Sequence, residues 1–267
     1  MRDRGIAEAR RVARGLVYRF GIRTADHVRI EAIAKRLGAR VVDTPLDGAM
    51  AQLVRNGEDV RILVGDRITD VCARRFSIAH ELGHFVLGHP SMPPSLLSGP
   101  APSRRTRNDV RDYEAEANAF AGELLMPFEI VRRSCEVSPV TLDVPLRIAG
   151  KFSVSILASA IRFVELSPER CAAVFSTRSE VSWCVPSPTF TCEITRGRRL
   201  DAASVAWDFF AKGAIDDRAQ PVPADAWFDT AADVEIVEHS IASKEFGTVL
   251  SLLWVPELVA APLGLAR

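Results

Sequence analysis

The run Arg74-Arg75-Phe76-Ser77-Ile78-Ala79-His80-Glu81-Leu82-Gly83-His84-Phe85-Val86-Leu87-Gly88 constrains this chain more than any other segment. Its apolar residues cover most sides of a helix, so that helix is expected inside the protein. The predicted span is about 70–88, ended by Gly88 and Pro90. His80 and His84 are four residues apart and share one helix face. Two imidazoles and a carboxylate within a buried helix need partners. One metal ion facing both imidazoles supplies one, and neutral imidazole nitrogens at this spacing suit zinc. Glu81 is turned about 100° from His80. It lies outside the ligand set but within reach of a water held on the metal, which is where a general base belongs.

A third protein ligand must come from elsewhere. His89 is no candidate: the extended HExxHxxGxxH pattern needs a glycine at 87 and a histidine at 90, where Leu87 and Pro90 stand. His89 reads instead as a helix C-terminal histidine favoured by the helix dipole. The other source is the segment Tyr113–Pro127, in a helix predicted over about 109–125. Glu114, Ala117, Asn118, Ala121 and Leu125 fall on one of its faces. The small residues let that face approach the histidine helix. Glu114 is then the expected third ligand, and Asn118, one turn on, is placed to orient a ligand from behind. Glu116 is the alternative ligand; Glu116 and Glu123 are otherwise read as pointing elsewhere, into solvent. Tyr113 and His239 are candidate stabilisers of an oxyanion.

Around this centre, Ile6, Ala9, Val12, Ala13, Leu16, Val17 and Phe20 give a helix over 5–20, and a second is predicted over 28–37, stopping at Gly38. A short strand follows at 40–43. Strands at 49–55 and 60–65 flank Asn56-Gly57, a hairpin signal in which both turn residues take positive φ. Residues 90–103 carry five prolines and read as a loop. Arg104, Arg105, Arg107 and Arg111 form a basic patch beyond it. Residues 146–162 have a helix-turn-helix pattern with Phe152 at the turn and Ser153 or Ser155 as cap. The would-be recognition helix offers one basic side chain, Arg162, too few for phosphate and base contacts, so packing is expected there rather than DNA binding. After about 167 the chain becomes β-rich, with strands predicted at Cys171–Ser176, Val181–Val185, Phe190–Ile194, Val234–Ile241 and Thr248–Val255 and one helix at 203–212. The aromatic residues of this half, among them Trp183, Trp207, Trp227 and Trp254, are expected in its core.

Composition excludes several classes. Thirty-four basic side chains balance thirty-four acidic ones, so no global field draws the chain to nucleic acid or an anionic membrane. No apolar stretch reaches the length of a bilayer span, about 20 residues, and the charged N-terminal segment lacks the features of a secretory signal. The five cysteines are odd in number, widely spaced and without a CxxC pair, which argues for reduced thiols and a cytoplasmic location.

Arg74–His84, RRFSIAHELGH, followed by Glu114–Pro127, EAEANAFAGELLMP, resembles the ImmA/IrrE metallopeptidases, also called DUF955 or peptidase family M78, over roughly residues 25–130. The resemblance implies a gluzincin-like zinc peptidase with His80, His84 and Glu114 as ligands of Zn2+ and Glu81 as catalytic base. It also implies the substrate: a specific DNA-binding repressor with a helix-turn-helix domain, cleaved to induce stress-response, mobile-element or phage genes. About 25 residues precede the family-like part, too few for the DNA-binding domain many relatives carry, so any link to DNA is expected through a partner. The stress-response branch of the family has a helical middle domain and a GAF-like domain after it. The expectation is thus an α+β chain with a zinc peptidase domain over 1–128, a helical, helix-turn-helix-like segment over 129–167 and an antiparallel-sheet, GAF-like domain over 168–267. The rival readings are a non-enzymatic transcriptional regulator and a toxin–antitoxin-like partner, either retaining the metal fold.

Overall fold

The computed structural model describes residues 2–90, 104–230, 232–260 and 263, with the backbone alone at Arg2 and over 104–111. The proline-rich loop and the arginine side chains at 104–111 therefore lie outside the described residues. The chain is a mixed α+β protein, with two sheets among the described residues. It divides into two compact units, Met1–Ile130 with Gly150–Ser155, and Val131–Ala149 with Ile156–Arg267.

In the first unit α1 (Arg2–Arg19) buries Ala9, Ala13, Leu16 and Val17, one face of the expected amphipathic helix. Helix α2 (Ile30–Arg36) follows, then strands β1 (Ala39–Thr44), β2 (Ala51–Asn56) and β3 (Asp59–Gly65). The sheet order is β1-β3-β2, with β1 parallel and β2 antiparallel to β3. Val60, Ile62 and Val64 point to the core at the period of two that a strand requires. The hairpin is present, but its register is one residue later than the Asn-Gly signal suggests. Asn56 pairs with Asp59 as the last rung, so the turn residues are Gly57 and Glu58. Gly57 alone supplies the positive φ, 61°, at the first turn position, as a type II′ turn requires. Helix α3 (Val71–Val86) starts where the Asp70 carboxylate accepts the Ala73 N–H at 2.5 Å. Helix α4 (Arg104–Leu125) begins within the arginine patch, earlier than expected, and packs across α3 and α1. Helix α5 (Phe128–Cys135) follows it.

The second unit holds the antiparallel sheet β5-β4-β8-β7-β6, built from β4 (Cys171–Thr177), β5 (Glu180–Pro186), β6 (Gln220–Pro223), β7 (Glu235–Ser243) and β8 (Thr248–Trp254). Helix α8 (Val205–Lys212) is capped by the Ser204 hydroxyl, which accepts the Trp207 N–H. Before it come α6 (Asp143–Phe152) and α7 (Ile156–Leu166), bent by 117° across the intervening turn. Two expectations need correction. Phe190–Ile194 is not a strand: Phe190 is buried against Phe228, and the edge of β5 pairs instead with Gly197–Leu200. Conversely, β6 is an unforeseen strand. Its Pro221 and Pro223 hide the pattern, and an outermost strand is where a sheet tolerates them. Of the four tryptophans expected in the core, Trp227 is buried there with Phe228 and Phe209, Trp207 packs against it partly buried, and Trp183 and Trp254 are partly exposed outside it. Among the described residues no single helix is long and apolar enough to cross a membrane.

Candidate metal centre

Helix α3 carries His80, Glu81 and His84 at the expected phase, and Gly83 lets α4 come close. A Cβ at Gly83 would stand 3.2 Å from the Ala117 Cα, so the helices meet nearly backbone to backbone. This approach brings Glu114 to the histidines. His80 Nε2 and His84 Nε2 lie 3.0 Å apart, and the Glu114 carboxylate oxygens are 3.2 Å from the first and 3.4 Å from the second. One donor atom from each of the three residues falls within 4.8 Å of the others, a set that could hold a metal ion. The imidazoles are largely covered, whereas the Glu114 side chain is 54% exposed, so the site opens on the Glu114 side.

The electrostatics follow from this triangle. Hydrogen bonds from His80 and then His84 hold the Glu114 carboxyl well below the usual carboxylate range. Burial acts to lower His80, but Glu114, Glu81 and Asn118 together outweigh it and leave His80 above its ordinary value. Glu81 stands apart from the triangle. Burial pushes its carboxyl up, while the two histidines and the Leu53 N–H on β2 oppose that push.

The rings are anchored from behind. His80 Nδ1 is 2.9 Å from Asn118 Oδ1, the placement expected of Asn118. His84 Nδ1 is 2.9 Å from His89 Nδ1, and His89 Nε2 is 3.0 Å from Glu116 Oε2. His89 does stand just past the C-terminal end of α3, and it is buried, 4% exposed. Gly88 adopts φ 70°, its N–H bonding to the Phe85 carbonyl while the His89 N–H bonds to the His84 carbonyl. This Schellman turn folds the residue after the glycine back onto the last helical turn, here His89 onto His84. The pattern Gly88-His89 was the available signal. Arg55, also unforeseen, donates to the His84 carbonyl at 3.0 Å and caps the same helix end.

Glu116 and Glu123 do not point into open solvent: the Glu116 side chain is 21% exposed. Glu116 meets His89 rather than the metal-facing nitrogens. Glu123 is fully buried, paired with Arg14 at 3.1 Å and accepting the Phe128 N–H at 2.9 Å. The proposed oxyanion groups have other partners. The Tyr113 ring lies 4.6 Å from that of His89, tilted by 36°. His239 belongs to the second unit, where it is buried and its Nδ1 accepts the Leu142 N–H at 3.0 Å. That acceptor is already engaged by the backbone, and the ring has no open face to offer a substrate.

Comparison with known proteins gives a family and a fold. No curated protein matches the sequence. A Mycobacterium tuberculosis transcriptional regulator has a similar structure, with TM-score 0.63 at 16% identity, over 97% of this chain and 80% of that one. Residues 34–164 match the peptidase M78 family, described as the IrrE N-terminal-like domain, and span both α3 and α4. Residues 34–164, which contain the His80–His84–Glu114 cluster, are thus an IrrE N-terminal-like domain of the peptidase M78 family.

Proposed function

We propose that the chain is a zinc-dependent endopeptidase, and the observation that carries this is the separation of Glu81 from the His80–His84–Glu114 triangle. The donor set fits zinc. Two ligands about 2.05 Å from a tetrahedral ion lie about 3.3 Å apart; the two Nε2 atoms are 3.0 Å apart, one Glu114 oxygen is 3.2 Å from the first and its other oxygen 3.4 Å from the second. When bound, zinc supplies Lewis acidity, acidifying a water and polarising a peptide carbonyl. Glu81 accepts the proton of the attacking water and delivers it to the leaving amine nitrogen. The backbone of Leu53 on β2 favours the ionised form of that carboxylate.

The substrate we infer is a helix-turn-helix repressor, on the strength of the family resemblance, with the chain acting in the cytoplasm on a protein and not on DNA or a membrane. The five free thiols accord with a reducing compartment. The similar Mycobacterium tuberculosis chain is called a transcriptional regulator, which favours a second reading, regulation by binding alone. One experiment separates them. The purified chain is incubated with purified helix-turn-helix repressors of its own organism, with and without chelator, alongside Glu81→Gln. The peptidase reading expects about one zinc per chain, cleavage lost to chelator, and a Glu81→Gln variant that keeps zinc but cuts at least 100-fold more slowly. Equal zinc in wild type and in His80→Ala and His84→Ala rejects the metal site. Cleavage by Glu81→Gln at the wild-type rate rejects the mechanism.

A further inference from the structure

Resting on the zinc reading above, we infer that His89 and Glu116 are positioning residues, a relay that fixes the ring of His84 with its Nε2 lone pair toward the metal. A neutral imidazole offers a lone pair on one nitrogen only if the other carries the proton. The Nε2 of His84 faces His80 and Glu114, and with zinc held on that nitrogen its Nδ1 must carry the proton. The only group bonded to that Nδ1 among the described residues is His89 Nδ1, at 2.9 Å, which accepts. His89 then bears its own proton on Nε2, which donates to Glu116 Oε2 at 3.0 Å. Every proton and lone pair from His84 to the carboxylate has one place, and the relay ends on a negative charge. Such a carboxylate–histidine arrangement raises ligand basicity and locks the ring. His80 has the simpler counterpart, an Nδ1–H donating to the neutral amide oxygen of Asn118.

The surroundings are built for this relay. The Gly88 turn inserts His89 beneath His84, and the Tyr113 ring covers it. On the far side α1 presents Gly5 to Glu116: a Cβ there would lie 2.0 Å from Glu116 Oε1, so any side chain would displace the carboxylate. A mere staple between α3 and α4 would not need an acceptor nitrogen aimed at the back of a ligand ring.

The test measures the zinc dissociation constant by competition with a fluorescent chelator, together with the Tm of the metal-free protein and the visible spectrum of the Co2+ form. Glu116→Ala and His89→Phe are expected to weaken zinc about 10- to 100-fold. Glu116→Gln, whose amide oxygen still accepts from His89, should recover part of that loss, and Gly5→Ala should weaken binding without touching either relay residue. The Co2+ spectrum should shift in Glu116→Ala, which a purely structural role would not produce in a variant that keeps its metal-free Tm. Wild-type zinc affinity in folded Glu116→Ala and Glu116→Gln would overturn the relay; should His89→Phe fail to fold, the Glu116 pair decides. Failure of the zinc reading itself looks different: wild type would then take up no zinc, or His80→Ala would bind it as tightly.

Discussion

Gly83 on α3 faces Ala117 on α4 with no room for a methyl group: a Cβ at Gly83 would lie 3.2 Å from the Ala117 Cα, 3.3 Å from its carbonyl oxygen and 3.1 Å from a Phe120 ring carbon. The ring can turn aside; the backbone cannot. Replacing a helix-interior glycine by alanine ordinarily gains about 1 kcal/mol, whereas overpacking a tight contact costs about 1–3 kcal/mol. The contact wins here, since two of the three neighbours are backbone atoms. Gly83→Ala is expected to lower the metal-free stability by about 1 kcal/mol and, by pushing α4 and Glu114 outward, to weaken zinc. Thermal melts and chelator competition check both. A variant with a raised Tm and unchanged affinity would show that the helix spacing does not set the site.

Glu238 organises the second unit. Fully buried, its carboxylate accepts the Val205 and Ala206 N–H groups at the start of α8 at 2.9 and 2.8 Å, the Trp227 Nε1–H at 2.7 Å and the Ser240 hydroxyl at 2.7 Å. Glu238→Leu keeps the volume and leaves three N–H groups without an acceptor, at about 1–3 kcal/mol each. That approaches the whole stability of a domain, about 5–15 kcal/mol. The four tryptophans all lie in this unit, so their fluorescence reports its unfolding. The midpoint should fall sharply in denaturant while zinc uptake by the first unit persists. An unchanged tryptophan transition would mean the network contributes little.

Burial pushes the thiols of Cys135 and Cys184 up to about 12 and that of Cys171 to about 11. A raised pKa keeps the thiol protonated, so reactivity appears only as pH climbs toward those values or the chain unfolds. At pH 8 the thiolate share at these sites is about one part in a thousand or less, against roughly a quarter for an unperturbed cysteine. Iodoacetamide at pH 8 should therefore leave the three unmodified in the native protein and label them in denaturant, read by peptide mass. Rapid native labelling of Cys171 or Cys135 would contradict their placement.

The helix α7 presents no basic surface, because its one basic side chain, Arg162, is 3% exposed and adjoins Glu165 at 3.6 Å. Each phosphate neutralised adds about 0.9 to the slope of log affinity against log salt, and this helix adds none. The isolated protein is expected to form no competitor-resistant complex with DNA at physiological salt in a gel shift. A tight complex with a slope steeper than about 4 would favour the regulator reading over the peptidase.

Whatever depends on local periodicity was legible in the chain itself. The spacing of His80 and His84 put them on one face, and the phase of Glu114 and Asn118 put those two on another, before any packing was known. The turn at Gly57 and the stop at Gly88 were equally local, though the hairpin register needed the ladder. What lies opposite each face was not legible. Glu116 and Glu123 look like ordinary surface carboxylates until α1 is seen to cover them, with Gly5 leaving room for one and Arg14 pairing with the other. The parallel pairing of β1 with β3 and the proline-bearing strand β6 likewise follow from partners far away in sequence. Helix and turn preferences are set by neighbours within a few residues. The burial of a charge, the partner of a strand and the second nitrogen of a ligand histidine are set by whichever element packs against them.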